Sequence, residues 1–170
     1  FKTDGLGEFI ISNADIPSNY ITTENIIEYV KIRVLPGGID LTTNKIVKQE
    51  YTRFISSYNL YPTIPNKQLI VSPLTTLVEK KTQLRISGAT SNKQSILEEI
   101  ENEIATVFNL TSPNDININY INDKNNTIAS SILQIESVIT NIANILEIMY
   151  PSSITEDIVL NSLVNVINDT

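Results

Sequence analysis

The chain has 170 residues, of which 41% are hydrophobic and 18% charged; its net charge is −7, and cysteine and histidine are absent. That is enough apolar sequence for one ordinary domain, or two small ones sharing a core, and it argues against general disorder. It excludes disulfides, thiolate chemistry, nearly all zinc and copper sites, and any nucleophile that depends on histidine. The acidic balance opposes non-specific binding to nucleic acid or anionic membrane, and no Lys/Arg cluster exceeds two in a row, so no nucleic-acid partner is expected. No uninterrupted apolar run approaches the roughly 18 residues of a membrane span, so none is expected either. Phe1 is not an initiator methionine, and the chain reads as a mature or excised piece. Missing cysteine suits a surface protein or a virion protein as well as a cytosolic one.

In chain order, the first 71 residues read as β-rich. "GEFIIS" (Gly7 to Ser12), "EYVKIRVL" (Glu28 to Leu35) and "QEYTRFISSY" (Gln49 to Tyr58) have the short alternating patterns of strands. In the second, Tyr29, Lys31 and Arg33 alternate with Val30, Ile32 and Val34, as in a half-buried antiparallel strand. "LPGGID" (Leu35 to Asp40) is a turn in which Gly37 and Gly38 can adopt positive φ.

From Ser72 the apolar period becomes helical. Ser72 before Pro73 predicts a helix start, because serine caps free N–H groups and proline suits the first helical position. Ser91 and Gln94 have capping-box spacing ahead of a helix striped by Ile96, Ile100, Ile104 and Val107 or Phe108. Thr111 to Asn126 reads as a polar linker with room for one short helical turn. A long helix is predicted over 127–149, with Ile128, Ile132, Ile135, Ile139, Ile142, Leu146 and Met149 on one face; the stripe could serve a coiled coil or oligomer and is expected to pack in the core, since shorter striped helices flank it. Pro151 ends it. Ser153 and Glu156 then cap a last helix striped by Ile158, Leu163, Val164 and Ile167.

Few residues suggest chemistry. Ser72 lacks the flanking glycines and the base of a nucleophile elbow and is expected to be a helix cap. Asp115, Asn117 and Asn119 place oxygen ligands at alternate positions, as a calcium loop begins, so calcium is the only cofactor for which there are candidates. Tyr120 and Asn126 nevertheless stand where such a loop wants glycine and glutamate. The acidic run Glu98 to Glu103 is expected to be a solvated helix face. An enzyme would have to draw on Asp4, Asp15, Asp40, Asp115 or these glutamates, none of which shows paired spacing. Tyr20, Tyr29, Tyr51, Tyr58 and Tyr61 could present stacking surfaces to a sugar or small ligand.

"TDGLGEF" (Thr3 to Phe9) resembles the T-D-x-x-G-x-F segment of transthyretin-like β-sandwich modules of the carboxypeptidase-regulatory-like and collagen-adhesin B types. "PGGIDLTTNKIV" (Pro36 to Val47), "LIVSPLTTLV" (Leu69 to Val78) and "VFNL" (Val107 to Leu110) follow in the order of a module found in large secreted and surface-anchored bacterial proteins. That pattern has glycine where this chain has Asn44, and L-G-L where it has Phe108, Asn109 and Leu110. The resemblance implies structural roles for Gly37, Gly38, Asp40, Ser72, Pro73, Thr75 and Thr76, no catalytic residues, and earlier strands upstream of Phe1.

The expectation is therefore an α+β fold: a small antiparallel sheet over 1–71, then a bundle of about four helices over 72–170, the two parts sharing one core. The expected function is that of a non-enzymatic structural or adhesive module. It would belong to a bacterial surface protein, an extracellular filament or a virion, and would contact protein partners or neighbouring copies through strand edges and loops.

Overall fold

The structure, a computed structural model, describes residues 31–40, 44–48, 50–54, 70–87, 92–120, 127–150 and 156–168. Strand β1 (Lys31–Val34) pairs antiparallel with β4 (Tyr51–Phe54), Ile32 opposite Arg53 and Arg33 opposite Thr52. The alternation holds: Ile32 is buried while Lys31 and Arg33 face out. Between them lies a small antiparallel hairpin, β2 (Ile39–Asp40) with β3 (Lys45–Ile46). The predicted strand at Gly7 to Ser12, and Asp4, Asp15, Tyr20, Tyr29, Tyr58 and Tyr61, lie outside the described residues.

The turn uses one glycine conformationally, not two. Gly37 has φ +108° and its N–H bonds to the Val47 carbonyl at 2.9 Å. Gly38 is not in the positive-φ region, and its carbonyl accepts from the Val47 N–H at 2.8 Å. Asn44 takes φ +54°, a conformation that glycine adopts freely and that asparagine tolerates best among the other residues.

Among the described residues the helices are α1 (Pro73–Ile86), α2 (Lys93–Val107), α3 (Thr127–Met149) and α4 (Glu156–Asn168), with a 3₁₀ turn over Pro113–Asn117. The architecture is α+β, as the sequence pattern predicts. Ile32 and Phe54 from the strands belong to the same buried cluster as Leu74, Leu77, Ile100, Ile104, Ile132, Leu160 and Val164 from the helices. Strands and helices therefore share one core among the described residues.

Helix α2 begins one residue later than the Ser91 capping box predicts. Asn92 is the N-cap, its side chain accepting the Gln94 N–H at 2.9 Å, and Ser91 lies outside the described residues. Asparagine is as good a cap as serine, so the adjacent residue takes the role. At its other end, α2 closes with Asn109 at φ +54°. The Leu110 N–H reaches the Ala105 carbonyl at 2.8 Å and the Asn109 N–H reaches that of Thr106 at 3.1 Å. This is a complete Schellman ending, with asparagine in glycine's usual place. Asn109→Ala is expected to cost about 1 kcal/mol, because alanine keeps the Cβ strain of the left-handed region and loses the local polar compensation of the amide, whereas Asn109→Gly should be neutral or stabilising. Thermal denaturation of the two variants checks this; equal losses for both would refute it.

Helix α3 has its predicted bounds, and its predicted face in part: Ile128, Ile132, Ile135, Ile139 and Leu146 pack in or against the core. Ile132 and Ile139 are buried, whereas Ile142 is 44% and Met149 61% exposed. The buried row is Ala129, Ile132, Glu136, Ile139 and Ala143, so alanines permit the close approach and several isoleucines point elsewhere. By length and composition α3 is apolar enough to cross a membrane, a property that a search for uninterrupted apolar runs overlooks. In the fold it packs on α4, α1 and the 3₁₀ turn, and Glu147 pairs with Lys48 at 2.9 Å. In α4, Val164 and Ile167 are buried as predicted, but so are Val159 and Leu160, while Ile158 is exposed. Pro151 and Ser153 lie outside the described residues.

Candidate functional site

The strand-to-helix junction is where the sequence concentrates small hydroxyl residues. Ser72, 2% exposed, is the N-cap of α1; its Oγ accepts from the Thr75 N–H at 3.4 Å while Thr75 Oγ1 accepts the Ser72 N–H at 2.8 Å. Pro73 fills the first helical position. Ser72 is thus a capping residue, its Oγ and its N–H both engaged with Thr75.

Thr76 has a separate task. Its Oγ1 accepts the backbone N–H of Thr52 in β4 at 2.9 Å, and the Thr75 and Thr76 hydroxyls both lie 3.3 Å from the Thr52 carbonyl. The first turn of α1 therefore occupies the β4 edge at Thr52, on the side turned away from β1. Below it, Thr52 Oγ1 donates to Glu79 at 2.9 Å, and Glu79, 3% exposed, is 3.4 Å from Lys31. Thr76→Val is expected to lower stability by about 1–3 kcal/mol, because it strands a buried N–H without a partner. Ser72→Ala should cost about 0.5–2 kcal/mol. Urea denaturation measures both, and a Thr76→Val protein as stable as the parent would show that the Thr52 N–H does not depend on that hydroxyl.

Two further charged groups are buried that the sequence reading missed. Arg53 is 6% exposed, donates from Nη1 to the Ile70 carbonyl at 2.9 Å, and leaves Nε without a hydrogen bond. Burial lowers its pKa, and the charge of Glu101 acts against that shift. Arg53, Glu79 and Glu101 line one cavity, but its volume is about 10 Å³. That is room for roughly one water molecule, not for a sugar ring between two catalytic carboxylates.

Lys81, 2% exposed, is the second. Its ammonium lies 2.7 Å from Glu103 and donates to the Ile167 carbonyl at 3.2 Å, near the C-terminal end of α4, where helix carbonyls lack partners. Arg85 also pairs with Glu103 at 2.9 Å and reaches Glu99 at 3.3 Å. The acidic run of α2 is therefore not wholly a solvated face: Glu98 and Glu99 are exposed, but Glu103 neutralises a buried lysine. Burial tends to raise the Glu103 pKa, but hydrogen bonds and charge from Lys81 and Arg85 outweigh it and hold the carboxyl below its ordinary range.

Of the calcium candidates, Asp115 is 6% exposed and completes the capping box of the 3₁₀ turn, its Oδ2 accepting from Thr111 Oγ1 at 2.7 Å and from the Ser112 N–H at 2.8 Å. Asn117 Oδ1 is buried without a hydrogen bond, and Asn119 is engaged elsewhere. Among the described residues no three His, Cys, Asp or Glu side chains gather as a metal site. Asp40 contributes its backbone to the β2–β3 pairing.

An apolar concave feature lies between α3 and α4. It has a volume of about 660 Å³ and is lined by Ile135, Val138 and Ile142 from α3 and by Ile158, Leu163 and Val166 from α4, with Phe108 at one end. Its few polar members, among them Gln134 and Ser162, carry no charge. Such a lining can bury apolar surface and cannot perform acid–base or nucleophilic chemistry. Compared with known proteins, the chain matches no family model, no curated protein and no solved structure.

Proposed function

We propose that the chain is a non-catalytic structural contact module of a surface-exposed or extracellular assembly, and that it meets protein partners through the α3–α4 face. The observation that carries this reading is the open apolar groove, continued along α3 by exposed Val138, Ile142 and Ile145. Contiguous exposed apolar surface of this kind is what interaction sites present. The β4 edge is less suited to strand addition than the sequence suggested, because Thr75 and Thr76 already occupy it at Thr52. The surface setting rests on the resemblance of "PGGID" and "SPLTTLV" to secreted modules. Two positions lend it physical support: Asn44 and Asn109, where the pattern has glycine, both adopt the positive φ that glycine would supply. A sugar-binding reading gains nothing from the groove, which lacks the convergent polar groups that orient a sugar.

The reading is tested by placing the photo-crosslinking residue benzoylphenylalanine at Val138, and as a control at exposed Gln83 on α1, in cells that make the protein. Irradiation should yield adducts of protein mass from position 138 and none from position 83. Absence of protein adducts at 138, or equal yields at both sites, would overturn the reading.

A further inference from the structure

We propose that the partner covering the α3–α4 face is a second copy of this chain, paired about a two-fold axis. This inference rests on the contact-module reading above.

Helix α3 carries two apolar rows side by side. The inner row, Ala129 to Ala143, is spent on the core of its own chain. The outer row is Ile135, Val138, Ile142, Ile145 and Met149, spaced three, four, three and four residues apart. That is the repeat of a seam made for another helix. Together the rows span roughly 200° of the helix surface at 3.6 residues per turn, about twice the stripe of about 100° that a single core face uses. Ile135 packs partly against the core, but Val138 is 55%, Ile145 57% and Met149 61% exposed, so beyond Ile135 the outer row has no cover among the described residues.

Three features select a second copy. The row contains no charge, so two chains of net charge −7 can meet there without placing like charges face to face. Its exposed residues, with Ile158 and Val166 of α4, leave roughly 550–600 Å² accessible, below the ~800 Å² per partner of a standard interface but, counted on both copies, above the ~1,000 Å² that a specific contact needs. The row is also chemically uniform along its length, so it is complementary to itself, as a two-fold contact requires. Two α3–α4 pairs brought together in this way make a four-helix arrangement around a shared apolar centre. A lipid surface is the other occupant that an apolar helix suggests. Neither α3 nor α4 contains a lysine or arginine, however, and interfacial helices hold anionic headgroups with such residues.

The test is sedimentation equilibrium of residues 1–170 over a concentration series, with flotation on phosphatidylcholine–phosphatidylglycerol vesicles alongside. The chain should reach twice its monomer mass and should not float. Ile142→Glu and Ile145→Glu should each weaken self-association by about 30-fold or more, with unchanged circular dichroism, whereas Leu84→Glu on the exposed face of α1 should leave it unchanged. Should Ile142→Glu lose its helical spectrum, Met149→Lys at the far end of the row serves in its place. A chain that stays single at millimolar concentration, a dimer indifferent to the outer-row variants, or flotation with the vesicles each overturns the proposal. A single chain that still crosslinks through position 138 to a different protein would overturn the self-pairing and leave the contact-module reading standing. A chain that neither pairs nor crosslinks would overturn both.

Discussion

Leu77→Ala is expected to lower the unfolding free energy by about 2–5 kcal/mol, seen as a lower urea midpoint with an unchanged slope. Leu77 is 0% exposed and sits on α1, the helix that packs against α2, α4 and β4. Removing its branched end opens a cavity where three elements converge, and the short, well-capped start of α1 has little freedom to collapse into it. Leu84 lies on the same helix at 58% exposure, and its truncation should change stability by less than about 0.5 kcal/mol. Similar losses at the two positions would mean that the core is not centred on the buried face of α1.

Glu103→Ala is expected to cost about 2–3 kcal/mol, although the glutamate itself is partly exposed. The cost arises at Lys81, whose buried ammonium would keep, among the described residues, only the Ile167 carbonyl as partner. Lys81→Met removes charge and need together, so it should come close to neutral, and Lys81→Met with Glu103→Ala should recover most of the single loss. The pH dependence has a definite sign. The Glu103 carboxyl is held below its unfolded value of about 4.3. Its contribution is therefore complete above that value and is lost as pH falls through the folded pKa. Denaturation midpoints between pH 6 and pH 3 should fall more steeply for the parent than for the Lys81→Met, Glu103→Ala double variant. Parallel curves would contradict the arrangement.

The local signals in this sequence translated well into structure. Ser72 and Pro73 start α1, and α3 runs from Thr127 to Met149, because capping chemistry and helical period act over a few residues. Ser91 lost the cap to Asn92 because adjacent polar residues compete on nearly equal terms. What stayed hidden depends on distant partners. Nothing near Thr76 announces that its hydroxyl will close the backbone of Thr52, 24 residues away. Glu103 reads as one more surface carboxylate until Lys81 of α1 is packed beside it. The face of α3 was legible only in part for a related reason: isoleucines occupy both rows, and where Ile142 was expected inside, Ala143 is buried and lets neighbouring helices come close. The same surplus of isoleucine that obscured the core face is what leaves an apolar row for a partner.

Met149 offers the most direct test of that row. It is the chain's one methionine, it is 61% exposed, and no cysteine competes for oxidant. A peroxide footprint read by mass spectrometry therefore reports a single known position on the outer row. The account predicts that Met149 oxidises readily in dilute protein and is increasingly protected as concentration rises through the range where the chain doubles its mass, with Ile142→Glu abolishing the protection. Oxidation at one unvarying rate, in the single and the paired chain alike, would contradict the assignment of the α3–α4 face as the surface through which this protein makes its contacts.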